Sequence, residues 1–221
     1  MGRIEDIQMG ENLKLGLGLL HKSFGSSNDY LKLSTQYSKA YEIGEDKLFF
    51  LKMTGVSYHG KGSLEGGTLD VQGFWYFLNR HGGNYHVSGR FTTSSNLKAG
   101  EQFTIGGTKE NEKPNDKILR GYPFAYQTGN KRALITMEKQ FHFDWYPLHL
   151  MKFGAVVFTD IGSAWGAGNK AKLLTDVGVG LRLFPTRSST GSSLHLDFSI
   201  PLTERDKVDN YQFLLKISNS F

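Results

Sequence analysis

The chain has 221 residues with 27 glycines, 13% aromatics and five prolines, a balance that suits one large all-β domain better than a helical bundle. Its formal charge of +5 and isoelectric point near 9.2 come from Lys and Arg scattered along the chain rather than gathered into a stripe, which argues against nucleic-acid binding. Zero cysteines exclude a disulfide framework, a thiol nucleophile and a Cys-ligated metal.

Period-two alternation runs through the chain from Asn12 onward, as expected of strands with one face toward lipid and the other toward a lumen. Leu13, Leu15, Leu17 and Leu19 share one face against Lys14, Gly16 and Gly18. After a break at Ser26–Asp29, Leu31, Leu33 and Tyr37 alternate with Lys32, Ser34, Gln36 and Ser38, and a polar connector is expected around Glu42–Asp46. A third strand follows over Lys47–Tyr58, and the glycines and charges of His59–Gly67 predict a turn. Leu69, Val71, Gly73, Trp75 and Phe77 then oppose Asp70, Gln72 and Tyr76, and beyond an Asn79–Asn84 loop Tyr85, Val87, Gly89 and Phe91 oppose His86, Ser88, Arg90 and Thr92. Gln102–Gly107 reads as a short strand.

A long loop is predicted from Thr108 to Asn130. Its first half, Lys109–Lys117, is hydrophilic, as a solvated loop should be. The second half carries Ile118, Leu119, Tyr122, Phe124 and Tyr126, too much apolar surface to leave in water, so it is expected to pack against the rest of the protein. Within it lies Leu119-Arg120-Gly121-Tyr122, an arginine that needs a partner if the loop turns inward.

The last five strands alternate most clearly. Ala133, Ile135, Met137, Phe141 and Phe143 oppose Leu134, Thr136, Glu138 and Gln140; Trp145-Tyr146-Pro147 then gathers aromatics at a turn, as a membrane interface favours. Met151, Phe153, Ala155 and Val157 oppose Lys152, Gly154, Val156, Phe158 and Asp160. Val177, Val179, Leu181 and Leu183 oppose Asp176, Gly178, Gly180 and Arg182; Leu194, Leu196, Phe198 and Ile200 oppose His195, Asp197 and Ser199. Tyr211, Phe213, Leu215, Ile217 and Phe221 form the outward face of the final strand. The expectation is an all-β, antiparallel transmembrane β-barrel, about eleven strands of which lie in residues 1–221 as one domain with no periplasmic domain. An odd total conflicts with the even strand numbers of single-chain bacterial barrels. Either the count is wrong by one or the barrel's first strands lie before Met1, where an export signal is also expected because Met1–Asp6 lacks a signal-peptide core.

The second half of the chain, residues 101–221, resembles a family. Leu119-Arg120-Gly121-Tyr122 is similar to the arginine-glycine-aromatic motif on the lumen-inserted loop of the BamA/TamA outer-membrane assembly factors and their two-partner-secretion translocator relatives. Phe103–Gly107 resembles the strand leading into that loop, and Phe158-Thr159-Asp160-Ile161-Gly162 the family's Phe-x-Asp-x-Gly segment. Gly178–Leu183 and Leu196–Leu202 resemble its next two strands, and the terminal Phe221 its sorting signal. The resemblance implies a sixteen-stranded barrel in the outer membrane that inserts or exports polypeptides, with Arg120 reaching carboxylates on the two following strands. Those positions are Glu138 and Asp160, which alternation independently turns inward. It further implies Tyr211, Phe213, Leu215 and Phe221 as sorting signal, and as partners the lipid bilayer, unfolded client polypeptides and the machinery that inserts the barrel itself.

No nucleophile elbow, phosphate-binding glycine loop or zinc spacing occurs, and the seven histidines have no metal-ligand spacing; no enzyme activity, metal or cofactor is expected. Two alternatives stand beside the assembly reading. One is a membrane anchor or passive pore for another exported domain. The other is a soluble ligand-binding barrel of the lipocalin kind, which would place its apolar residues inside and its polar residues outside.

Overall fold

The structure, a computed structural model, describes residues 9–79, 83–97, 102–107, 118–143, 146, 150–185 and 192–219. Their strands, in chain order, are β1 (Glu11–Leu20), β2 (Tyr30–Gly44), β3 (Lys47–Gly60), β4 (Ser63–Phe77), β5 (Asn84–Ser95), β6 (Phe103–Ile105), β7 (Gln127–Gly129), β8 (Lys131–Phe143), β9 (Met151–Trp165), β10 (Leu174–Pro185), β11 (Ser192–Pro201) and β12 (Gln212–Asn219). Ten of them form one antiparallel sheet in the order β1-β2-β3-β4-β5-β8-β9-β10-β11-β12, every strand beside its neighbour along the chain. β6 and β7 pair with each other as a separate ribbon.

That ribbon resolves the odd strand count. Gln102–Gly107, expected as a wall strand, contributes β6 to the ribbon instead, and the wall holds ten long strands among the described residues. Two expected connectors also shrink. β2 runs on to Gly44 through half of the polar stretch, and β3 begins at Lys47. β4 begins at Ser63, inside the expected His59–Gly67 turn, because Lys61 (φ 48°) and Gly62 (φ 80°) reverse the chain in two residues. Positive φ at both central positions matches the right-handed twist of the flanking strands, so the hairpin closes without a longer loop. Phe221, Trp145, Pro147 and the hydrophilic loop segment 109–117 lie outside the described residues.

Register fixes which way each side chain points. One continuous outward row crosses Val157, Val179, Phe198 and Phe213 on four successive strands. The inward row beside it crosses Glu138, Phe158, Gly178 and Ser199. Val157, Val179 and Leu181 are 49–53% exposed, whereas Asp160 and Asp176 are 0% exposed. A water-soluble barrel would show the reverse, so this distribution removes the lipocalin alternative and suits lipid outside and a polar lumen within. Outward Phe49 stacks on Trp75 at 4.4 Å and on Tyr41 at 5.8 Å, an aromatic patch near the rim opposite the long loop, where amphipathic rings favour a membrane interface. No helix among the described residues is long and apolar enough to cross a membrane, which says nothing of strands.

The outward face of β12 carries Phe213, Leu215 and Ile217, level with Phe198, Leu196 and Leu194 of β11, and exposed Tyr211 precedes it. Among the described residues β12 pairs with β11 alone and β1 with β2 alone, so both ends of the sheet present backbone edges.

Candidate functional site: an inserted loop on a carboxylate cradle

The connection from β5 to β8 folds back across the inner face of β8–β11. Apolar burial drives it there. Leu119 and Tyr122 are 0% and 1% exposed and pack with Ile105, Leu134, Ala164 and Leu174; each such side chain removed from water contributes about 1.5–3 kcal/mol. Backbone bonds tie the segment to the end of β6: Leu119 N–H donates to Gly106 O at 3.1 Å and Gly107 N–H to Pro123 O at 3.1 Å. Gly106 sits at φ 141°, and a Cβ there would strike the Pro123 carbonyl, so the contact requires glycine. The ribbon is held to the wall by Arg132 of β8, which donates to Thr104 O and Thr92 Oγ1, both at 3.2 Å, and lies over the Phe103 ring.

With the loop so placed, Arg120 enters a buried cradle. Its Nε and Nη2 donate to the two oxygens of Asp160 at 2.7 and 2.9 Å, a bidentate fork. Nη1 donates to Glu138 Oε1 at 2.8 Å and, more weakly, to Asp197 Oδ2 at 3.4 Å. The guanidinium lies over the Phe158 ring, 3.3 Å from its centre. Burial works against the charge of Arg120, yet Asp160 foremost, then Glu138 and Asp197, outweigh it and hold its pKa above the ordinary arginine value. Around the arginine the backbone is fastened too: Ser199 Oγ donates to Arg120 O at 2.8 Å, and Gly121 N–H to Asp176 Oδ2 at 2.8 Å.

Gly121 permits that last approach. An added Cβ would stand 2.5 Å from Asp176 Cβ, so any other residue pushes the loop off β10. Gly178 plays the matching part in the wall, because a Cβ there would meet the Phe158 ring that supports Arg120. Tyr122 completes the anchorage at the rim. Its hydroxyl lies 2.7 Å from Thr203 Oγ1 and within 3.3 Å of backbone N–H and C=O groups of Thr175 and Thr203. Beside it Lys207 and Lys172 donate to Glu204 at 2.7 and 3.3 Å, and the bond from Lys207 first of all lowers the Glu204 pKa.

Arg120, Gly121, Tyr122, Glu138 and Asp160 therefore meet in one place, while Tyr211, Phe213 and Leu215 lie apart on and beside the outer face of β12. Sequence reasoning missed four members of the cradle: Phe158, Asp176, Asp197 and Ser199. Their inward parity was readable, but their contact with the loop was not. The cradle spans four strands, β8 to β11, rather than two. A further arginine, Arg182, forms a buried pair with Asp197, donating to both carboxylate oxygens. Among the described residues no group of His, Asp and Glu is arranged to hold a metal. The arrangement thus supplies fixed charge and hydrogen bonds that lock a loop.

Comparison with curated protein sequences gives no match. A family model described as the Omp85 superfamily domain matches residues 9–221, which takes in all ten wall strands, the ribbon and the inserted loop. With nearly the whole chain under one such match, and with the antiparallel wall that an outer-membrane barrel of that kind requires, the chain belongs to the Omp85 superfamily.

Proposed function

We propose that the chain is the barrel portion of an outer-membrane machine that inserts or exports polypeptides, and that the docked Arg120 loop keeps this barrel in its working shape. The observation that supports the reading best is the loop itself: a segment from one long connection is fastened by charge, backbone bonds and apolar burial to four successive wall strands. A passive anchor has no need of so costly an internal brace, because a barrel wall is stable through its own strand pairing. The superfamily is one of outer-membrane assembly and translocation proteins, and such work proceeds without covalent chemistry. An edge such as β1 or β12 offers unpaired N–H and C=O groups on which a client strand can add. Tyr211, Phe213, Leu215 and Phe221 serve as the sorting signal read by the machinery that inserts this barrel, and lipid and unfolded clients are its partners.

Depletion of the full-length protein in its own cell, with folded levels of other outer-membrane barrels and of exported proteins as the readout, tests the proposal. A fall in either, rescued by the wild-type chain and less well by Arg120→Ala, is the expected result. Unchanged levels of both would refute it and leave the anchor or pore reading.

A further inference from the structure

The inward face of β1–β3 differs in character from the cradle. Lys14, Lys32 and Lys52 occupy lumen-facing positions there, in register with neutral neighbours. Lys14 is opposite Gln36, Lys32 lies between Gly18 and Tyr58, and Lys52 between Ser38 and Gln72. Among the described residues no carboxylate forms an ion pair with any of the three, whereas outward Lys39 is matched by Glu11 at 3.3 Å. Lys14 and Lys52 are exposed; the Lys32 ammonium stands 5.9 Å from the centre of the Tyr58 ring.

One acid, Glu65 of β4, shares the loop-side rim with Lys32, since an added Cβ at Gly60 would meet both Tyr30 and Glu65; it accepts from Ser63 Oγ at 3.2 Å and offsets at most one of the three charges. The other inward acids are engaged or distant. Asp70 of β4, the inward carboxylate nearest to Lys52 by register, accepts from Arg90 Nε at 2.8 Å, Thr92 Oγ1 at 2.6 Å and Gln72 Nε2 at 2.5 Å. Glu42 lies toward the rim opposite the loop, beyond Ser38 on β2 by about 13 Å of strand. On β8–β11 the buried carboxylates Glu138, Asp160 and Asp197 are bound by Arg120 and Arg182 beneath the loop. The uncovered half of the described wall therefore shows the lumen three ammonium groups, at the levels of Gln36, Lys32 and Ser38 of β2 and so spread over about 20 Å, in excess of the nearby carboxylate of Glu65. Unneutralised like charges facing a confined aqueous path raise the local concentration of the opposite ion and exclude the same sign.

We propose that the barrel conducts small inorganic anions in preference to cations, along the β1–β3 wall that the docked loop leaves open, and that Lys14, Lys32 and Lys52 set this preference. The activity rests on the barrel fold and on wall charge, not on client handling.

The test is the reversal potential of the full-length protein in planar bilayers across a KCl gradient. The expected result is a chloride-favouring sign for the wild type. Joint replacement Lys14→Gln, Lys32→Gln and Lys52→Gln should lower the chloride-to-potassium permeability ratio by about twofold or more. Lys39→Gln, the same charge change on the outer face, should leave the ratio as it is. If the triple variant fails to insert, the three single replacements are measured, each expected to move the ratio in the same direction. A potassium-favouring wild type, no conductance at all, or an unchanged ratio in the variants would overturn the inference. The depletion experiment reads client assembly separately, so either proposal can fail while the other stands.

Discussion

Arg120→Ala tests the cradle most directly. The substitution removes the two-bond fork to Asp160, the bond to Glu138 and the cover over Phe158, and leaves two carboxylates that are 0% and 6% exposed. Removing one partner of a buried ion pair costs about 3–5 kcal/mol, most of it from the charge left uncompensated. If that is the origin of the loss, neutralising Asp160 should recover part of it. Arg120→Ala combined with Asp160→Asn is therefore expected to be less destabilised than the two single losses added, by a coupling of about 1–3 kcal/mol. Arg120→Lys keeps the charge but not the planar fork or the flat contact with Phe158, and should fall between wild type and Arg120→Ala. Urea titration of the folded barrel in detergent micelles measures the wild type and the four variants, and the heat resistance of the folded band on a gel should rank them in the same order. Strict additivity, with a coupling below about 0.5 kcal/mol, would show that Arg120 and Asp160 act independently and would refute the reasoning.

Three further outcomes follow from the same geometry. Gly121→Ala should release the loop from β10 and expose it to protease, whereas Gly89→Ala, whose Cβ would meet nothing within 4 Å, should leave the digestion pattern of the wild type; equal patterns for both would refute the close-approach argument. Tyr122→Phe keeps the buried ring but leaves Thr203 Oγ1 and the neighbouring backbone groups without its hydroxyl, a loss of about 1–3 kcal/mol in the same urea titration. Asp176→Asn is expected to be neutral or stabilising. Asp176 stands directly across from Asp160, both 0% exposed, and its Oδ1 has no hydrogen-bond partner, so an amide there takes a second acid away from Asp160 while its oxygen still accepts from Gly121 N–H. A large destabilisation by Asp176→Asn would show that its negative charge, not its hydrogen bond, holds the loop.

Much of the wall was legible because a strand with lipid on one face and a lumen on the other must alternate, and Leu13–Leu19 or Val177–Leu183 leave little freedom of register. Glu138 and Asp160 were placed inward by the same parity, and both contact Arg120. What parity cannot give is tertiary reach. Asp176 and Asp197 have the same inward parity as many lumen polar residues, and their part in the cradle depends on Gly178 and Gly180, which leave the space into which Phe158 and Asp197 project. The Gln102–Gly107 error has a different origin. A short β-prone run looks alike whether it pairs in the wall or within a loop, and its partner β7 lies beyond a long hydrophilic insertion that no local pattern bridges. The Lys61–Gly62 reversal was hidden for the opposite reason, since the glycines following it belong to a strand; Gly67 there stands against the Val56 carbonyl, where a Cβ would be 2.9 Å away.

Fastening one loop to β8, β9, β10 and β11 has a mechanical consequence. Sliding any of these strands against its neighbour by a single residue would turn an acid of the cradle toward lipid, so that part of the wall resists shear as a stiff plate. β1 to β4 carry no such cross-tie among the described residues. Bending or splaying of the wall is thereby steered to the compliant side, leaving the plate as the fulcrum about which the rest can move.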